Sequence, residues 1–202
     1  MILNELTEIS GVAGHYSGAF TSGVIVAAAD TNREYFHFRW QPLTTSVCHV
    51  LSVVMTEGSA VSWTAGTANH VALFRARAWS VQGSDGTAIT LGTGNKLDSN
   101  YPASQVSIGD IRIVDTANDG LNVGTKTNET HPLRRTQFPT HPNTQGPPEL
   151  VLWDVTKTGR TIMLRGPTAA TAEGLVITMP TFGAAGTPII TVSVVWAETM
   201  PA

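Results

Sequence analysis

The sequence predicts an all-β protein: an antiparallel β-sandwich, jelly-roll-like, with an extended N-terminal arm and one long irregular loop. Three observations predict it. Apolar and polar residues alternate over short runs, as on a half-buried strand. The runs are separated by clusters of Gly, Pro, Asn and Asp, which bend the backbone, rather than by helix caps. No segment holds an apolar stripe of helical period, and no internal repeat is visible.

Taken in order, residues 1–19 read as the arm. Ile2, Leu3, Leu6 and Ile9 are scattered apolar side chains, and Gly11, Gly14 and Gly18 break any helix. Such an arm docks on its own domain or on a neighbouring subunit, because apolar segments with few charges are poorly solvated. Residues 20–202 form the single sandwich domain. Val24 to Ala28 reads as a short buried strand. In the run from Arg33 to Trp40, Phe36, Phe38 and Trp40 share one face and Tyr35, His37 and Arg39 the other, which makes the aromatic triplet core. Ser46 to Met55 is continuously apolar, which suits a strand covered on both faces.

Val71, Leu73, Arg75, Arg77 and Trp79 alternate with Ala72, Phe74, Ala76, Ala78 and Ser80, so the Ala/Phe face is expected against a second sheet and both arginines outside. After a turn at Gly83 to Gly86, Thr87 to Leu91 and Gly109 to Val114 are short strands. Residues 115–148 hold five of the eleven prolines and read as the long irregular loop. Glu149 to Val155 and Gly159 to Leu164 resume the sheet.

Gly174 to Glu198 is the organising stretch. Ile190, Val192, Val194 and Trp196 share one face, Thr191, Ser193, Val195 and Ala197 the other, and Leu175, Ile177 and Met179 alternate upstream. Gly183 to Gly186 can reverse the chain, so the two arms read as a hairpin whose partners come from far earlier. The fold is therefore expected to close late.

Composition narrows function. The 202 residues are 42% hydrophobic and 13% charged, with a net charge of -3, against about 25% charged in an average protein. That balance speaks against nucleic-acid binding, and the basic pairs Arg75/Arg77 and Arg134/Arg135 are too few to reverse it. The single cysteine, Cys48, lies in an apolar run, so it reads as a buried small hydrophobe and no intrachain disulfide is possible. No signal peptide and no membrane span are read, so synthesis in a cytoplasm and no membrane partner are expected.

Catalytic motifs are missing where they would be sought. GHYSG (Gly14 to Gly18) has its serine one position away from a nucleophile elbow. The six histidines show no metal-helix spacing, and Asp110, Asp115 and Asp119 lack the glycine and final glutamate of a calcium loop. No Walker loop, G-x-G-x-x-G or C-x-x-C occurs. The expectation is no enzyme, no cofactor and no metal.

Four blocks together are familiar: FHFRW (Phe36 to Trp40); Ala72 to Ser99 followed by Asp110 to Ala117; Thr161 to Pro180; and VSVVWAE (Val192 to Glu198). In order and spacing they resemble virion structural proteins of tailed bacteriophages, of the capsid decoration or cement type. The histidine- and proline-bearing segment from Thr130 to Pro148 departs from that pattern. The resemblance implies a non-enzymatic protein on the outer surface of the capsid, bridging subunits of the major capsid protein. It implies a homo-oligomer, most simply a trimer. Ile2, Leu3 and Leu6 in the arm, Arg134, Arg135 and Phe138 in the loop, and Met200 in the tail are the expected contact residues. The alternative is a head fibre, tail or baseplate component, or a glycan-binding adhesion module using Trp63 and Tyr101.

Overall fold

Strand β12 (Ile190–Thr199) lies between β1 (Val12–Thr21) and β3 (Val47–Glu57), tying the two ends of the chain together in one antiparallel ladder. The computed structural model describes residues 12–25, 34–42, 45–58, 70–91, 95–107, 109–115, 120–137, 149–179 and 189–199. The first sheet is completed by β9 (Glu149–Asp154) and β10 (Ile162–Leu164), which both pair with the far edge of β3. The second runs β5 (Thr87–Ile89), β6 (Ile111–Ile113), β2 (Glu34–Trp40), β11 (Glu173–Thr178), β4 (His70–Val81), with β7 (Thr125–Asn128) and β8 (Arg134–Gln137) side by side on β4. All pairings are antiparallel.

The pairings nest. β1 joins β12, β2 joins β11, β3 joins β9 and β10, and β4 joins β7 and β8. First with last, second with last but one: the chain is one long two-armed ribbon, and rolling it brings β12 onto β3 and β11 onto β4. That is the jelly roll the sequence predicts. The partners of β12, β1 and β3, come from far earlier in the chain, as the sequence predicts.

The interior is aromatic and aliphatic. Ile190, Val192, Val194 and Trp196 all point inward and are fully buried. Trp196 stacks on Tyr16 at 5.6 Å and meets Phe38 of the opposite sheet edge-on at 5.4 Å, while Phe20 stacks on Phe36 at 5.9 Å. Cys48 is buried and free within this core.

Several expectations need correction. β11 and β12 do not form a hairpin; they lie in different sheets, because the stretch 180–188 leaves enough chain to cross the roughly 10 Å between packed sheets. The strand expected at Val24 to Ala28 is absent from the described part, Val24 and Ile25 being irregular; residues 26–28 lie outside it. The arm expected over 1–19 is strand from Val12 onward, and residues 1–11 lie outside the described part. The expected loop 115–148 contains β7 and β8, both paired with β4.

The faces of β2 and β3 exchange roles. β2 is buried on both faces, whereas β3 alternates, with Val47, His49, Ser52, Val54 and Thr56 only half-buried. β4 is inverted: Val71 and Leu73 enter the main core, and Ala76 packs on the outer side with Val176 and Ala172. Ala78 adopts φ 49°, and this bulge shifts the alternation so that Trp79 joins the Ala76 face. Gly174 leaves room for it; a Cβ there would sit 2.4 Å from the Phe38 carbonyl and 2.7 Å from the Trp79 ring.

Replacing Trp196 by alanine empties the contact between the sheets and is expected to cost about 3–5 kcal/mol in a denaturant titration. A loss below about 1 kcal/mol would contradict the packing described.

Candidate functional site

Two surfaces are built by this fold. The first is the outer face of the β12 sheet, whose cross-strand rows follow from the register. His15, Ala197, His49 and Met163 form one row; Ser17, Val195, Ser52 and Asp154 the next. Ala19, Ser193, Val54 and Val151 follow, and Thr21, Thr191, Thr56 and Glu149 close the set. On β1, β12 and β3 none of these positions is Asp, Glu, Lys or Arg. The carboxylates appear only on the rim strand β9. Burial lowers the pKa of His15, and burial followed by the Arg165 charge lowers that of His49, so both are neutral at neutral pH. The hydroxyls of Thr21 and Thr191 hydrogen-bond at 2.9 Å across the row.

The second surface opens on the opposite flank of β3, where β9 and β10 of one sheet approach β4 and β8 of the other. Trp153 stands at its centre. It pairs with Val53, packs against the core from the rim, and donates its indole N–H to the Arg160 carbonyl at 3.2 Å. On one side of it lies a cleft of ≈ 430 Å³, lined by Arg75, Arg77, Arg160, Arg165, Glu173 and Met163 among others. On the other lies a smaller concavity of ≈ 180 Å³ that takes in Arg134, Asp154 and Lys157. Asp154 also caps the single-turn helix α1 (Val155–Thr158), accepting from the Thr156 N–H at 2.8 Å, while Gly159 ends it with φ 65°.

Charge in the large cleft is only partly balanced. Arg75 donates to Glu173 at 2.7 Å, and Arg77 donates through Nε to Glu129 at 2.8 Å. Glu173 also accepts from the Arg165 backbone N–H at 2.7 Å. Among the described residues no carboxylate pairs with the guanidinium of Arg134, Arg160 or Arg165, and the buried Nε of Arg75 has no acceptor.

Comparison with known proteins finds no match: no family model, no curated protein and no solved structure is similar.

Other polar groups are sealed inside and fasten the fold. Glu34 accepts from His37 at 2.5 Å, from Lys126 at 2.6 Å and from Asn128 at 3.0 Å. Burial alone would raise the Glu34 pKa, but the hydrogen bonds and charges of His37 and Lys126 hold it below the usual carboxylate value. Burial keeps His37 neutral, so its proton sits on Nε2 facing Glu34, and the bare Nδ1 packs beside Gly83 with no hydrogen-bond partner among the described residues. Lys126 lies 4.7 Å over the Trp79 ring. Carboxylate and imidazole can act as an acid–base pair, but His37 is 1% and Glu34 3% exposed, which leaves no room for a substrate between them. Arg39 is likewise buried, bonded to Asp110 at 2.8 Å and to the Trp79 carbonyl at 2.9 Å. Among the described residues no group of three His, Cys, Asp or Glu is placed to hold a metal ion.

The structure divides the predicted contact residues. Arg134 and Arg135 lie on β8 rather than in an irregular loop, both exposed, pairing with Leu73 and Ala72. Successive strand residues face opposite ways, so Arg134 lines the Trp153 concavity and Arg135 points to the other face. Ile2, Leu3, Leu6, Phe138 and Met200 lie outside the described residues, as does Trp63. Tyr101 is half-buried, its ring 5.9 Å from His15 and its carbonyl held by Lys96. Sequence reasoning missed Arg160, Arg165 and Trp153. The i, i+2 spacing of Arg75 and Arg77 already places both on one strand face, and it was the available signal.

Glu198 provides a pH test of the fold. Burial pushes its carboxyl above the usual range, against the pull of donors from Ser104, Gln105 and Trp196. The folded protein therefore holds that proton more tightly than the unfolded chain. The stabilisation is full below the ordinary carboxylate pKa and is lost as pH rises through the raised value. Glu198→Gln removes this slope, so the stability of the variant relative to the native protein is expected to rise as pH climbs from about 4 towards neutrality. Urea titrations across that range measure it, and a pH-independent difference would contradict the assignment.

Proposed function

We propose that this chain is a non-enzymatic virion structural protein of the capsid decoration type, which joins others of its kind, as a trimer, and clamps subunits of the major capsid protein. The observation that carries the reading is the uncharged outer face of the β12 sheet. Burying a surface against a partner costs least where no ion has to be stripped of water, and the centres of protein interfaces are depleted of charge for that reason. Val54, Val195 and Ala19 offer apolar area there, and Ser17, Ser52, Ser193, Thr21, Thr56 and Thr191 offer hydroxyls that donate or accept as a partner requires.

Size limits what this face does alone. Four rows on four strands cover on the order of 400 Å², from strand rise and spacing. A stable interface buries about 800 Å² per partner. Further area has to come from segments beyond the sheet, and the arm, with Ile2, Leu3 and Leu6, supplies apolar side chains for it. Repetition over a lattice raises the combined strength of contacts that are individually weak.

The four blocks that resemble capsid decoration proteins support the reading in a second way. They fall on β2, β4, β5, β6, β10, β11 and β12, so the likeness runs through neighbouring framework strands of both sheets, including the β2–β11–β4 run.

Val195→Lys and Ser193→Glu each place a charge in the middle of the face. Both side chains are half-buried on the outer face rather than in the core, so the variants are expected to stay folded with a stability loss of about 1 kcal/mol, the centre of the range for single substitutions. Both are expected to lose oligomers in sedimentation and occupancy on capsids. Deletion of residues 2–10 is expected to leave the sandwich folded and to weaken the same two readouts. Native-like assembly and occupancy in all three proteins would overturn the reading.

A further inference from the structure

We propose that the cleft beside Trp153 binds an acidic, extended polypeptide segment, at a site that adjoins the uncharged face at Met163 and does not rest on the capsid reading. Four arginines line it, Arg75, Arg77, Arg160 and Arg165, against Glu173 within the lining and Glu129 on its border. Four positive charges less two negative leave a local excess in a chain whose net charge is -3. Among the described residues Arg160 and Arg165 have no carboxylate partner. A guanidinium presents a planar fork that meets a carboxylate with two parallel hydrogen bonds, so the exposed forks of Arg160 and Arg165 are of the kind a carboxylate engages.

The shape points to a peptide among anions. β10 is paired through β3 alone, so its other backbone edge has no ladder partner among the described strands. Thr161, Ile162 and Met163 of that edge line the cleft. An extended segment laid along it gains main-chain hydrogen bonds as an added strand, and its alternate side chains fall on opposite sides. One set meets the arginines. The other meets Trp153 and Leu133, while Met163, 43% exposed, stands on the Arg165 side of the edge. From Arg160 to Arg165 the edge is about 16 Å long at strand rise, enough for about five extended residues. Acidic and aliphatic residues in alternation therefore match the site.

The test uses the full chain and a capped hexapeptide of alternating Glu and Val, titrated by calorimetry at low and physiological salt. Binding is expected, weaker at the higher salt, and absent for the same peptide with Gln in place of Glu. Arg160→Glu and Arg165→Glu are each expected to weaken it by about tenfold or more, the scale of one lost charge-assisted hydrogen bond. Arg135→Glu, the same change of charge on the opposite face of β8, is expected to leave affinity within about threefold. Arg165→Gln, which adds no negative charge, checks that any loss reflects the missing fork, and melting curves confirm that each variant folds. No binding of the Glu peptide up to about 1 mM overturns the proposal. So does equal weakening by Arg135→Glu. Binding of a sulfated oligosaccharide in place of the peptide would reassign the cleft to polyanionic glycans and overturn the polypeptide assignment.

Discussion

The ladder of β12 between β1 and β3 is the constraint on which the rest depends. Strands β1 and β12 are brought together from opposite ends of the chain, and every other partnership is enclosed within theirs. Loop-closure entropy for such distant pairs must be met before the contacts repay it. The inward residues of β12 supply the return: Val192, Val194 and Trp196 belong to the one buried core, and Trp196 meets Tyr16 of its own sheet and Phe38 of the other. With β12 seated, one of the sheet's two flanks lies at β1, and the segment from Asn95 to Gln105 covers part of it. The Leu97 N–H reaches the His15 carbonyl at 2.9 Å, Asn95 reaches the Ser17 carbonyl at 2.8 Å, and Tyr16 holds the Pro102 carbonyl at 3.1 Å. Covering an edge in this way prevents strand-to-strand aggregation at that point.

The polar interior carries its own logic. Glu34, His37, Lys126 and Asn128 sit on the outer side of the second sheet, and Arg39, Asp110 and Gln82 form a neighbouring set there. These groups cover the face of β2 that its alternation would have left to solvent. Buried charges add little net stability when paired, but removing one partner is costly. The network thus fixes where the loops around Gly83, Asp110 and Leu121 must lie. Its acid behaviour opposes that of Glu198. Glu34 and His37 favour folding at higher pH, because the unfolded chain takes up their protons first, whereas Glu198 favours it at lower pH.

Much of the framework was legible in the sequence. Period-two alternation located β2, β4, β11 and β12 and identified the inward face of β12; a continuously apolar run located β3 and placed Cys48 in the core; short apolar runs between turn residues marked β6, β9 and β10. What escaped has physical reasons. Alternation in Leu175 to Met179 and Ile190 to Trp196 reports that two strands exist, and is silent on whether a connection as long as 180–188 turns back or crosses to another sheet. The bulge at Ala78 has no sequence marker, since alanine is not a residue that favours positive φ. Arg134 and Arg135 read as loop because four-residue strands flanked by prolines carry almost no periodic signal. The Trp153 cleft draws on Arg75 and Arg77, Arg160 and Arg165, and Trp153, which come from three separate parts of the chain. Only the nested pairing brings them together, so no local reading could have found it.

The scarcity of charge makes its placement informative. Of the twelve Lys and Arg residues, six line the two concavities around Trp153, while the faces of β1, β12 and β3 that look outward hold none. Asp154 and Glu149 on β9 stand between the two regions. Electrostatic reach in physiological salt is about 8 Å, so the cleft's field does not extend across the sheet to the β1 edge. The two surfaces meet at His49 and Met163, where Arg165 is felt, and diverge towards β1: contacts at the β1 side of the neutral face depend on shape and buried area and change little with salt, and contacts in the cleft weaken as salt rises. A partner held by both would respond to ionic strength only through the cleft, and the neutral face would set the affinity that remains.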